Sequence, residues 1–112
     1  MLWISIQERE VSMAAQIKHM VIFNLIYEKD SSEAKKFLTD GQTLLTSIPV
    51  VKEFQVLRQV SSKNDYDFGF SMVFDSDGDY EAYNSHPVHQ SFVAERWKKQ
   101  VSRFLEIDFR AF

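Results

Sequence analysis

Residues 17–26 read Ile-Lys-His-Met-Val-Ile-Phe-Asn-Leu-Ile, and this run decides the architecture. In an extended chain successive side chains alternate, so His19, Val21, Phe23 and Leu25 share one face. Met20, Ile22 and Ile26 share the other, together with Asn24. A strand that is apolar on both sides needs cover on both sides. One face takes the helices of its own chain, and the other needs a second layer.

Moving outward, Asp30-Ser31-Ser32-Glu33 has the form of a capping box, an N-cap acid with a glutamate three places on. It predicts a helix to about Ser47, with Ala34, Phe37, Leu38, Gly41, Leu44, Leu45 and Ile48 at helical spacing and Pro49 as its stop. Residues 51–60 predict a second strand and residues 66–74 a third, which puts Phe68, Phe70, Met72 and Phe74 on one face. Ser76-x-x-Asp79 caps a short helix through Tyr83, and Pro87 fits the first turn of another. The residue before a proline avoids helical angles, so His86 marks the break. Residues 103–109 close the chain as a strand with Phe104, Ile107 and Phe109. The order is βαββαβ, which predicts an α+β fold of the ferredoxin-like kind: one antiparallel four-stranded sheet with helices on one face. Its second apolar face predicts a homodimer, two sheets face to face.

The 112 residues make one domain, divided into an N-terminal extension over 1–16 and a folded unit over 17–112. Met13 is an alternative start within that extension. A 14% aromatic content, with ten Phe, gives a core rich in rings. A net charge of -3 without a basic stripe argues against nucleic acid or an acidic membrane as partner. Lys98, Lys99 and Arg103 read as solvated charge near a helix end. The absence of cysteine excludes disulfides, thiolate catalysis and Cys-based metal sites. With neither a signal peptide nor a membrane-length apolar run in the sequence, the expected location is the cytoplasm.

Chemistry concentrates in Tyr83-x-x-His86-Pro87-x-His89-x-x-Phe92, which carries two of the three histidines. His89, Phe92, Val93 and Trp97 fall on one helical face, and an imidazole against apolar walls is pushed toward the neutral form that a base requires. Asp108 on the last strand is placed to orient it, and Tyr83 to donate a hydrogen bond to a carbonyl gaining negative charge. His86 belongs to the helix break. His19 enters a site only if its strand face meets His89. His86-x-x-His89 has metal-ligand spacing, but Pro87 interrupts the helix there and no third ligand follows, so no metal is expected. Asp75-Ser76-Asp77-Gly78-Asp79 imitates a calcium loop, but its glycine comes too early and His86 stands at the twelfth position.

Lys18-His19, the Tyr83–Phe92 block and the closing Ile107-Asp108-Phe109 resemble the stress-responsive dimeric α/β-barrel (Dabb) family, and at the site positions its olivetolic acid cyclase-like members. The resemblance covers residues 17–109 and implies the fold, a homodimer and no cofactor. It implies proton abstraction beside a carbonyl by His89, with Tyr83 polarising the carbonyl, Asp108 fixing the imidazole tautomer and His19 as a further site residue. Val21, Phe23, His86, Phe92 and Trp97 are the expected substrate contacts, for a small apolar carbonyl-containing ligand. Leu57 and Gln59 depart from the Gly and Asn usual in the family. The competing functional expectations are a cofactor-free cyclase or lyase and a non-catalytic homodimeric interaction domain, with a monooxygenase or haem relative last.

Overall fold

Strand β1 (Ile17–Leu25) lies inside the sheet, which has the order β2-β3-β1-β4. The computed structural model describes residues 15–112, so the extension read over 1–16 and the alternative start at Met13 lie outside the described residues, apart from its last two residues. Helix α1 (Ser32–Leu45) follows β1, then β2 (Lys52–Arg58) and β3 (Phe68–Phe74). Helix α2 (Asp77–Ser85) is separated at His86 from α3 (Pro87–Phe92), which widens into a π-helical turn over Val93–Trp97 and ends in a last α turn, Lys98–Gln100. Strand β4 (Val101–Phe109) closes the chain. All pairings are antiparallel, and β1 lies between β3 and β4. The expected ferredoxin-like βαββαβ order is present. No described helix is long and apolar enough to cross a membrane.

The helix start differs by one residue from its expected place. Ser31, not Asp30, is the N-cap: its Oγ accepts from the Ala34 N–H at 3.1 Å and donates to the Glu28 carbonyl at 2.6 Å. A hydroxyl can do both and a carboxylate cannot, so the serine takes the position. Asp30 instead meets Arg58 at 3.2 Å. The break at His86 stands as expected. Its backbone is extended (φ -64°, ψ 135°), and its Nδ1 accepts from the Val88 N–H at 3.1 Å, capping α3.

Alternation along β1 divides the sheet into two unlike faces. Ile17, His19, Val21, Phe23 and Leu25 are buried under the helices, with Phe68, Phe70, Met72 and Phe74 from β3. Phe23 packs against Phe70 with ring centroids 4.9 Å apart and against Trp97 at the same distance, while Phe37 of α1 meets Phe92 at 5.5 Å. Helix α1 approaches this layer at Gly41, where a Cβ would stand 2.8 Å from Phe70 Cζ, closer than side chains pack. The outer face carries Met20 and Ile22, paired with Ile107 and Leu105. Leu57 is 36%, Leu105 48% and Phe109 54% exposed in the single chain. That is a contiguous apolar sheet face without cover from the other described residues.

Candidate functional site

The β1–β4 register sets the polar end of the helix-covered layer. His19 pairs with Asp108, and Val21 with Glu106, so both acids point to the same side of the sheet as the buried histidine. His19 is 5% exposed. Its Nδ1 stands 2.6 Å from Asp108 Oδ1 and 2.8 Å from the Tyr80 hydroxyl oxygen. The Tyr80 hydroxyl donates to the same carboxylate, at 3.0 Å to Oδ2 and 3.1 Å to Oδ1. A carboxylate only accepts, so the His19 Nδ1 carries the proton in this pair.

This arrangement corrects one expectation. Asp108 does not orient His89; cross-strand pairing gives it to His19. The His89 Nδ1–H donates to the Asn84 backbone carbonyl at 3.1 Å. A carbonyl supplies no proton, so this bond fixes the proton on Nδ1 and leaves the lone pair of the neutral ring on Nε2. Burial is the largest influence on His89 and pushes its pKa below the ordinary 6.5; the nearby His19 and His86 act in the same direction, and the Asn84 carbonyl and Glu106 oppose it.

Tyr83 neighbours both histidines. Its ring centroid is 4.3 Å from that of His89 and 6.3 Å from that of His19. Burial, then the neighbouring Tyr80 and Glu106, raises the Tyr83 hydroxyl well above its ordinary pKa, so it is a proton donor at every physiological pH. Burial likewise raises Tyr80, helped by its bond to Asp108.

These groups open onto a cavity of about 320 Å³ between the sheet and α2–α3. His19, Tyr83, His89, Asn84, Lys98 and Glu106 are its polar lining. Val21, Leu45, Phe70, Met72, Phe92 and Trp97 form most of its apolar wall, and Phe104 lies at its β4 side. The volume is at the lower end of the range for small-molecule sites, roughly 300–1,000 Å³. The π-helical turn places Val93 and Trp97, its first and last residues, on the cavity.

Of the nine residues expected in the site, His19, Val21, Tyr83, His89, Phe92 and Trp97 line the cavity, and Asp108 stands behind His19. Phe23 and His86 do not line it. Phe23 is fully buried among Phe37, Phe68, Phe70 and Trp97, and the ring of His86 is occupied as a helix cap. Tyr80 and Glu106 were not foreseen. Both follow from spacing: Tyr80 is three residues before Tyr83 on one helix, and Glu106 two before Asp108 on one strand.

A helix-covered antiparallel sheet with a ring-lined cavity and paired histidines at one end defines a ferredoxin-like domain with a small-molecule-sized pocket. The chain belongs to the Dabb family: the family model described as the stress responsive A/B barrel domain matches residues 17–111. A stress-response A/B barrel domain-containing protein of Arabidopsis thaliana is 26% identical over 96 residues, covering 82% of this chain and 83% of that protein. The crystal structure of a Dabb family protein from Mesorhizobium loti, with a ferredoxin-like fold, is 45% identical at a TM-score of 0.85, covering 87% of this chain and 97% of that one. Two more distant structures share the fold alone. One is a dimeric ferredoxin-like protein of unknown function from Thermobifida fusca, 20% identical at a TM-score of 0.70, covering 86% and 91% of the two chains. The other is the hydroxynitrile lyase of Passiflora edulis, 12% identical at 0.76, covering 88% and 95%.

Proposed function

We propose that this chain is a homodimeric pocket protein that takes a small, largely apolar ligand bearing a carbonyl group and performs acid–base chemistry on it without a cofactor. The observation that carries this reading is the Tyr83–His89 contact on the cavity wall, two groups held in complementary protonation states. A neutral imidazole with its lone pair on Nε2 takes a proton from the carbon beside a carbonyl. A protonated phenol next to it donates a hydrogen bond to the oxygen as charge develops there. The apolar wall supplies burial for the rest of the ligand and keeps water from competing for these bonds.

The test is thermal denaturation with acetophenone and its ring-substituted analogues. At least one of the series should raise the melting temperature of the wild type, and His89→Ala should remove the rise, since a ligand that binds only the folded state stabilises it. A series without effect, or an unchanged rise in His89→Ala, sinks the reading.

The homodimer rests on the sheet face formed by Met20, Ile22, Leu57, Leu105, Ile107 and Phe109, which no other described residues cover. A second copy covers it with the same apolar surface, the usual symmetric solution. Light scattering should give twice the chain mass of 13.2 kDa, and Leu105→Glu should give the single-chain mass. A wild-type monomer at micromolar concentration would contradict the face-to-face arrangement.

A further inference from the structure

The second histidine of the cavity has no part in that chemistry so far. A buried polar ring in the middle of an apolar strand needs partners, and His19 has two, Asp108 and Tyr80. Both engage Nδ1, so the other ring nitrogen, Nε2, is the one left for the cavity that His19 lines. Tyr80 is itself held in place, because its ring stacks on Phe74 at 4.9 Å with an interplanar angle of 10°. Glu106 of β4, Tyr83 of α2 and His89 of α3 face this end of the cavity, and Asp108 of β4 and Tyr80 of α2 stand behind His19.

The two histidines differ in what they offer a proton. His19 has a carboxylate hydrogen-bonded to its Nδ1 at 2.6 Å, whereas the Nδ1 partner of His89 is a neutral backbone carbonyl at 3.1 Å and the Glu106 carboxylate acts on it without a hydrogen bond. The Tyr83 ring adjoins both, 4.3 Å from that of His89 and 6.3 Å from that of His19, and all three line the same cavity, so a carbonyl compound bound there meets both imidazoles.

We propose that His19 is the proton donor that complements His89, and that Asp108 and Tyr80 are positioning residues that hold it for this purpose. The inference rests on the acid–base reading of the same cavity, and it narrows the ligand to an enolisable carbonyl compound. In the step, His89 Nε2 takes the proton from the carbon beside the carbonyl. The C–H electron pair becomes the new carbon–carbon π bond, and the carbonyl π pair moves onto oxygen. His19, as imidazolium, gives its Nε2 proton to that oxygen. The products are an enol, a protonated His89 and a neutral His19 still bonded through Nδ1–H to Asp108. Reversal returns the oxygen proton to His19 and places on carbon a proton that His89 has exchanged with solvent. The observable result is exchange of that carbon's hydrogens with water.

Proton NMR of acetophenone in D2O reads this as loss of the methyl signal, with binding followed in parallel by thermal shift. Wild type should catalyse the exchange. Asp108→Asn should slow it about tenfold or more with binding retained, the scale at which loss of an acid–base partner acts. Tyr80→Phe, which keeps the stack on Phe74, should slow it in the same direction by less. Nitrogen NMR of 15N-histidine protein gives a readout that a merely structural role would not move. His19 should show a hydrogen-bonded Nδ1–H in wild type, and its resonance should move in Asp108→Asn. Wild-type exchange rates in both variants, or a His19 protonated only on Nε2, overturn the assignment. His89-dependent binding of acetophenone without exchange overturns the step alone. Absence of both binding and exchange overturns the step together with the pocket reading.

Discussion

The layer between sheet and helices has a closed half and a hollow half, built from the same strands. In the closed half Phe23, Phe37, Phe68 and Phe70 interlock with little exposed surface, and Gly41 lets α1 press onto them. In the hollow half, two residues along β1, His19 and Val21 face a cavity, and the neighbours are Tyr83, His89 and Glu106. The difference lies in what packs over each half. Phe23, Phe70 and Phe37 have rings on several sides, while β4 is an edge strand whose Phe104 and Glu106 are exposed along the same face. Packing to native density there would need larger side chains than α2 and α3 bring over this part of the face. The hollow half is therefore where polar groups can remain reactive.

Substitutions that change volume should separate the halves most sharply. Phe37→Ala removes a ring that is fully buried among Phe23, Phe70, Phe92 and Trp97. It should cost about 3–5 kcal/mol in urea denaturation, the scale of Phe→Ala in a core. Val21→Leu adds one methylene to a residue already on the cavity wall and should change stability by less than about 1.5 kcal/mol, because space is present to receive it. The same variant should weaken or remove the acetophenone-dependent thermal shift. Equal stability losses from the two changes would mean that the halves pack alike and that the cavity is not a tolerant space.

The fold was legible in the sequence because period-two and period-3.6 patterns report burial directly, and β1 and α1 carry them strongly. Pro87 marked the helix break for a local steric reason that no tertiary contact alters. The site was legible in its membership and less so in its pairings. His89, Tyr83, His19 and Asp108 do gather at one end, but which histidine holds the carboxylate depends on the β1–β4 register, a long-range property. Pattern reasoning gives a strand's faces without its partner's offset. Phe23 shares a face with Val21, yet only Val21 lines the cavity. The difference between them comes from the rings that α1 and β3 bring over Phe23, which no spacing within β1 reveals.

The smallest expected effect separates the hollow half from the closed one by charge. His89 titrates below 6.5 in the folded chain because burial disfavours its imidazolium, and near 6.5 once unfolded. Above that value both states hold a neutral ring, and the group contributes nothing to the pH dependence of stability. As pH falls through 6.5 the unfolded chain binds the proton first, so stability declines until the folded pKa is passed and then levels off with respect to this group. His89→Gln removes the term. The fall in melting temperature from about pH 7.5 to about pH 5 should therefore be smaller in His89→Gln than in wild type. Identical pH profiles would show that the His89 ring is not held in its neutral form by the cavity wall. The base assigned to the hollow half would then be no better prepared for proton abstraction than a histidine on the surface.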